Sequence, residues 1–234
     1  MRKIMIGIGI LVHCATPAFA DGRVVVIFKP ATLVEKAAAG DIDAVAVAAA
    51  QWVPVNKTLF PAEKRRHVLR PDPDLGKIYA RKAAEAGHPL GCQAYARTLK
   101  TPEEREPWLR KAAAGGCGVA FAELGDLLVP RTDPKDTAKK TDREKAVVYE
   151  GYAWAALAAG SDDNAVAAAG ITVLSRAEFQ LAQFDLHYSA IGSGDKPSLR
   201  AAKEELRKLR SRFATKFPDG LPRWEVESKP AKGS

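Results

Sequence analysis

The sequence predicts an all-α chain whose αα-hairpins stack into a solenoid, closed by an amphipathic C-terminal helix. Three observations carry this. A short phrase is written four times: Leu33, Lys36, Ala37, Ala38 and Gly40; Tyr79, Lys82, Ala83, Ala84 and Gly87; Trp108, Lys111, Ala112, Ala113 and Gly116; Trp154, Leu157, Ala158, Ala159 and Gly160. Arg-Lys-Ala-Ala recurs letter for letter at 81–84 and 110–113, and repetition on this scale marks stacked repeats. Each phrase opens on a helix-start signal. Thr32 with Glu35, Thr101 with Glu104 and Thr141 with Glu144 have capping-box spacing, and Asp72-Pro73 places a cap residue before a first-turn proline. Finally, a glycine able to take the left-handed conformation ends each phrase, and a second short helix follows.

Taken in order, residues 1–20 have the three parts of a secretory signal: basic Arg2 and Lys3, an apolar run from Ile4 to Val12, and Ala18-Phe19-Ala20 before Asp21. Cleavage is therefore expected between Ala20 and Asp21. A transmembrane anchor would need roughly 18 to 20 apolar residues, and a lipoprotein site at Cys14 would want a small residue where His13 stands. Segment 21–31 includes an apolar run at 24–28, read as a packed strand or cap. The repeat domain is placed at 32–191, with second helices at 44–53, 89–99, 119–128 and 165–173. Ala46, Ala48, Ala94, Ala96, Ala120 and Ala122 crowd their facing positions, which lets helix axes approach at little cost in helix propensity.

Repeat spacing is uneven: Lys36 to Lys82 is 82 − 36 = 46 residues, Lys82 to Lys111 is 29, and Lys111 to Leu157 is 46. Insertions therefore enter at 54–71, which carries Lys64, Arg65, Arg66 and His67, and at 129–140. Ser175 with Glu178 reads as a further capping box, starting a new helix to about residue 190. In 195–217, Leu199, Ala202, Leu206, Leu209 and Phe213 form the apolar stripe of a basic helix expected to cover the last open face. The tail at 218–234 is polar and Pro-rich and is read as disordered. Pro107, inside the third phrase helix, implies either a kink or a start near Glu106.

The chain carries 36 basic and 28 acidic residues, a net charge of +8. Losing Arg2 and Lys3 with the signal leaves 34 − 28 = +6. For an exported chain such a balance points to anionic envelope surfaces or acidic proteins, not to nucleic acid. No catalytic, cofactor or metal motif is legible. His67, His88 and His187 lie in no nucleophile or metalloprotease motif, and Gly192-Ser193-Gly194 is a flexible break, not a nucleophile elbow. His88 with Cys92 and Cys117 would make a three-ligand metal site without a fourth; helix capping is the ordinary reading of His88. Gly115-Gly116-Cys117-Gly118 reads as a tight αα turn, with an anion-binding loop at a helix start as the alternative. Tyr79, Trp108 and Trp154 are expected to fill the space between hairpins, with a ligand-stacking ladder as the alternative.

After signal removal Cys92 and Cys117 remain as an even pair at one end of neighbouring hairpins. A disulfide is expected in an oxidising compartment if their Cα atoms come within about 7 Å. Buried free thiols are the alternative.

The phrases resemble Sel1-like repeats, relatives of the tetratricopeptide hairpin. The closest match runs from Trp108 through Lys111, Ala112, Ala113 and Gly116 to Ala120, Leu124 and Gly125. The second copy carries Tyr79 and Gly87 but has Gly91 where alanine is usual. The fourth, with Trp154 and Gly160, resembles a degenerate terminal repeat. The resemblance implies a right-handed α-solenoid with a concave binding surface and a role as a periplasmic adaptor or regulator that binds another protein; that the chain is no enzyme is expected from the lack of a catalytic group, a hydrolase being the alternative that the family leaves open. It also implies disulfides within one repeat, from which Cys92 and Cys117 depart. The alternative function is an envelope-associated structural protein held weakly on an anionic surface by the basic segments.

Overall fold

The computed structural model describes residues 18–20, 23–54, 56–60, 72–131, 140–186 and 196–226. Among these, nine α-helices dominate and three short strands form one small sheet: β1 (Ala18–Ala20), β2 (Arg23–Phe28), α1 (Pro30–Ala38), α2 (Ile42–Trp52), α3 (Pro73–Glu85), α4 (Pro89–Thr98), α5 (Pro102–Ala114), α6 (Gly118–Leu128), α7 (Asp142–Ala159), α8 (Asn164–Phe184), α9 (Pro197–Lys216) and β3 (Arg223–Val226). The basic insertion around Lys64 and most of the 129–140 loop lie outside the described residues, as do His187 and residues 1–17.

Four antiparallel hairpins, α1/α2, α3/α4, α5/α6 and α7/α8, follow one another, and each second helix packs on the first helix of the next hairpin. The expected interior alanines at 46, 48, 94, 96, 120 and 122 are fully buried. Capping boxes form at Thr101/Glu104 and Thr141/Glu144, and the Asp72 carboxylate accepts from Leu75 N before Pro73. Because Thr101 and Pro102 fix the start, α5 runs unbroken through Pro107.

Two start signals do not act as read. Thr32 lies inside α1, which begins at Pro30 after Lys29, and its hydroxyl donates to Lys29 O. Ser175 lies inside α8, its hydroxyl donating to Ile171 O at 3.0 Å. In each case the hydroxyl bonds back to a carbonyl three or four residues earlier, an option open to Ser and Thr in a continuing helix.

Gly40, Gly87 and Gly116 have φ of +93°, +80° and +87°, so three hairpin turns use the left-handed conformation. The fourth does not: Gly160 closes α7 at φ −86°. Gly91 departs from alanine for a steric reason, since a Cβ there would stand 2.3 Å from Ala83 Cβ, where α3 and α4 cross. At Gly116 an added Cβ would meet Pro222, Phe217 and Leu221 at 3.0 to 3.3 Å. Gly116→Val is therefore expected to destabilise the chain by about 1 to 3 kcal/mol through backbone strain, read as a fall in midpoint by thermal or urea unfolding; an unchanged midpoint would mean the turn is drawn wrongly.

The C-terminal segment does more than cover the last hairpin. Helix α9 packs chiefly on α7 with Ala202 and Phe213 buried, and its Lys216 ammonium donates to Ala114 O at the end of α5. The chain then crosses the third turn at Gly116, and β3 pairs in parallel with β2 through Val25/Arg223 to Phe28/Val226. Residues 223–226 are thus ordered as a strand, which corrects the reading of the whole 218–234 tail as disordered. On its other edge β2 pairs antiparallel with β1.

Candidate functional site

The repeated aromatics and their partners form a ladder up the stack. Tyr79 on α3 meets Trp52 of α2 with ring centroids 5.6 Å apart. Trp108 on α5 meets Tyr95 of α4 edge-on at 5.1 Å. Trp154 on α7 stacks on Phe121 of α6 at 5.6 Å. Every rung joins one hairpin's second helix to the next hairpin's first, so the phrase aromatic fills the space between repeats. Trp52, Tyr95 and Phe121 belong to no repeated phrase, although each is the aromatic of its repeat's second helix. Lys111 remains exposed, its ammonium 4.2 Å from the Trp108 ring centre, a cation–π distance. Ala112, Ala113, Ala120 and Leu124 are wholly buried, and Gly125 lies where α6 meets α7, an added Cβ there standing 3.2 Å from Gly151 O.

The top rung is extended by the C-terminal segment. Phe213 of α9 lies edge-on to both Phe121 (5.3 Å) and Trp154 (5.9 Å), and Phe217 stacks on Phe213. Trp154 Nε1 donates to Glu150 at 3.1 Å, and Arg110 of α5 makes a two-pronged bond to the same carboxylate while its Nε donates to Glu106. Burial pushes the Glu150 carboxyl up, but the bonds from Arg110 and Trp154 outweigh it and hold the group below the usual carboxylate range. The second Arg-Lys-Ala-Ala phrase therefore ties hairpin three to hairpin four; Arg81, at the matching place in the first, makes a surface pair with Glu85 of its own helix.

A buried polar cluster joins hairpins two and three. Glu123 on α6 accepts from Arg97 Nε at 2.7 Å and Gln93 Nε2 at 2.8 Å, both from α4. The Arg97 and Glu123 side chains are 3% and 0% exposed, and the two terminal nitrogens of Arg97 find no hydrogen-bond partner among the described residues. No sequence motif announced this cluster.

Cys92 and Cys117 are free thiols, both buried, which corrects the expected disulfide. Cys92 turns back into its own hairpin, its Sγ 3.7 Å from Ala84 O, while Cys117 sits at the N-cap of α6. Burial raises both thiols above their ordinary range, Cys117 to about 11, so both stay protonated at neutral pH and are poor nucleophiles. Alkylating reagents are expected to label neither cysteine until the chain is unfolded, and non-reducing peptide maps are expected to contain no 92–117 link; a linked peptide would overturn this placement. His88 is committed to structure: Nδ1 accepts from the amides of Leu90 and Gly91, and Nε2 lies 3.0 Å from Asp43 Oδ1.

A cavity of about 430 Å³ opens between the third and fourth turns and the C-terminal segment, with Phe121, Leu157, Val166 and Leu221 on its walls and Cys117 among its lining. Its charged groups already have partners. Asp163 caps α8 through the Ala165 and Val166 amides, and Asp162 faces Arg223 at 3.6 Å. No described helix is long and apolar enough to cross a membrane. No family model, curated protein or solved structure matches the chain.

Proposed function

We propose that the chain is an exported, non-enzymatic α-solenoid of the Sel1-like kind that binds a protein partner in the periplasm. The observation that carries the reading is the ladder Trp52/Tyr79, Tyr95/Trp108, Phe121/Trp154: one interhairpin contact made three times by one phrase, as repeat stacking requires. Solenoids of this type present surfaces for other chains, and the residues described above are spent on packing. The test is a photo-crosslinker placed at Ile78 and at Lys111, exposed on the first helices of hairpins two and three, followed by capture from the native envelope. Crosslinks to one protein from both positions support the adaptor; absence of any crosslinked protein counts against it.

Export is testable separately. N-terminal sequencing of the natural protein is expected to begin at Asp21, and a chain retaining Met1 would refute it. Cleavage there removes β1 and leaves β2 paired with β3.

A second reading is favoured by one feature of α9. Lys196, Arg200, Lys203, Arg207 and Arg210 are exposed at spacings of four and three, forming one basic line along the helix. Such a line suits an anionic envelope surface. Retention on anionic but not neutral vesicles at physiological salt would favour this structural role over the plain adaptor.

A further inference from the structure

The second helices α2, α4 and α6 are each covered by the next hairpin, whereas among the described residues α8 is followed only by α9, which touches it but packs chiefly on α7. Along α8 and just past its end, Ala168, Thr172, Ser175, Phe179, Ala182 and Leu186 are all exposed. Their spacing of four, three, four, three, four is that of a coiled-coil seam. The seam alternates in size: Ala168, Ser175 and Ala182 take one set of positions and Thr172, Phe179 and Leu186 the other. Ile171 borders it, 56% exposed, beside Phe179 and Leu186 at 52% each. Its two hydroxyls are already satisfied within the helix, Thr172 donating to Ala168 O and Ser175 to Ile171 O, both at 3.0 Å. Covering them leaves no hydroxyl without a partner.

We propose that this seam is covered by the α8 of a second copy of the chain, running antiparallel across a two-fold axis near residue 177. Antiparallel seams set one class of position against the other, so the register that uses the whole stripe places Ala168 against Leu186, Thr172 against Ala182 and Ser175 against Phe179. Each larger residue then faces a smaller one, the alternation that lets facing layers interdigitate. A parallel pair would set Phe179 on Phe179 and Ser175 on Ser175, crowding one layer and leaving a void in the next. The arrangement is isologous, as closed dimers are. A single helix pair roughly 30 Å long falls short of a standard interface, and the two Glu178 carboxylates come near each other at its rim. The dimer is therefore reversible and concentration-dependent.

Sedimentation velocity of the purified full chain over a dilution series is the test. The native chain is expected to shift from monomer to dimer as concentration rises, and Phe179→Asp to stay monomeric with its melting temperature unchanged, since the side chain is exposed. Phe179→Ser alone should also lose the dimer, while Ser175→Phe combined with Phe179→Ser restores it by exchanging large and small within one layer. A native chain monomeric throughout, a Phe179→Asp chain that still dimerises, or an exchange variant that fails to recover would each overturn the proposal.

Discussion

Glu123→Ala is expected to destabilise the chain by about 3 to 5 kcal/mol, the cost of leaving a buried charge without its partner. Arg97 would keep a guanidinium that is 3% exposed with no carboxylate on its Nε, and Gln93 would lose its acceptor. The fault lies between α4 and α6, so hairpins two and three would loosen from one another. Urea unfolding followed by far-UV dichroism measures the loss. The double variant Arg97→Met with Glu123→Leu should recover most of it, because replacing a buried pair by apolar groups of similar volume is often neutral or stabilising. If Glu123→Ala cost no more than a surface substitution, or the double variant fared no better than the single, the cluster would not hold the hairpins together as described.

Trp154→Ala is expected to cost a similar amount, about 3 to 5 kcal/mol, by removing a large buried ring from a packed site. Trp154 is 3% exposed and touches Phe121 below it and Phe213 of α9. Its loss therefore weakens both the hairpin stack and the seating of the C-terminal helix. Trp108→Ala should cost less, because Trp108 is only partly buried and among the described residues makes one ring contact, with Tyr95. Equal losses for the two variants in the same unfolding assay would mean that the Phe213 contact adds nothing to the top rung.

Much of the helical order could be read from local chemistry. A Thr three residues before a Glu, or an Asp before a Pro, satisfies amides within one turn, so Thr101, Thr141 and Asp72 start helices wherever the chain goes next. The same spacing misled at Thr32 and Ser175. There the preceding residues also favour helix, and a hydroxyl inside a helix bonds back to a carbonyl as readily as it caps a start. Gly160 misled for a related reason: its place in the phrase matched the other turns, but a 21-residue helix follows and the turn is made without a left-handed glycine.

What the sequence hid was tertiary. Glu123 looks like any helical glutamate until Arg97 and Gln93 are brought over it from 26 and 30 residues away. The cysteines matched in count and compartment, yet the direction in which each side chain points depends on helix rotation, which no spacing rule gives. The strand at 223–226 has polar neighbours and forms only because β2 offers it an edge.

That pairing bears on how the molecule comes apart. A linear array of repeats contacts only its neighbours, so its ends can fray one unit at a time and unfolding need not be all-or-none. Here Val25, on the strand that leads into the first hairpin, is matched with Arg223 beyond the last described helix, and neither end of the stack can peel away without parting the other. Closing so long a loop is entropically slow, but once closed it should make the hairpins melt together, in a single transition rather than a staircase.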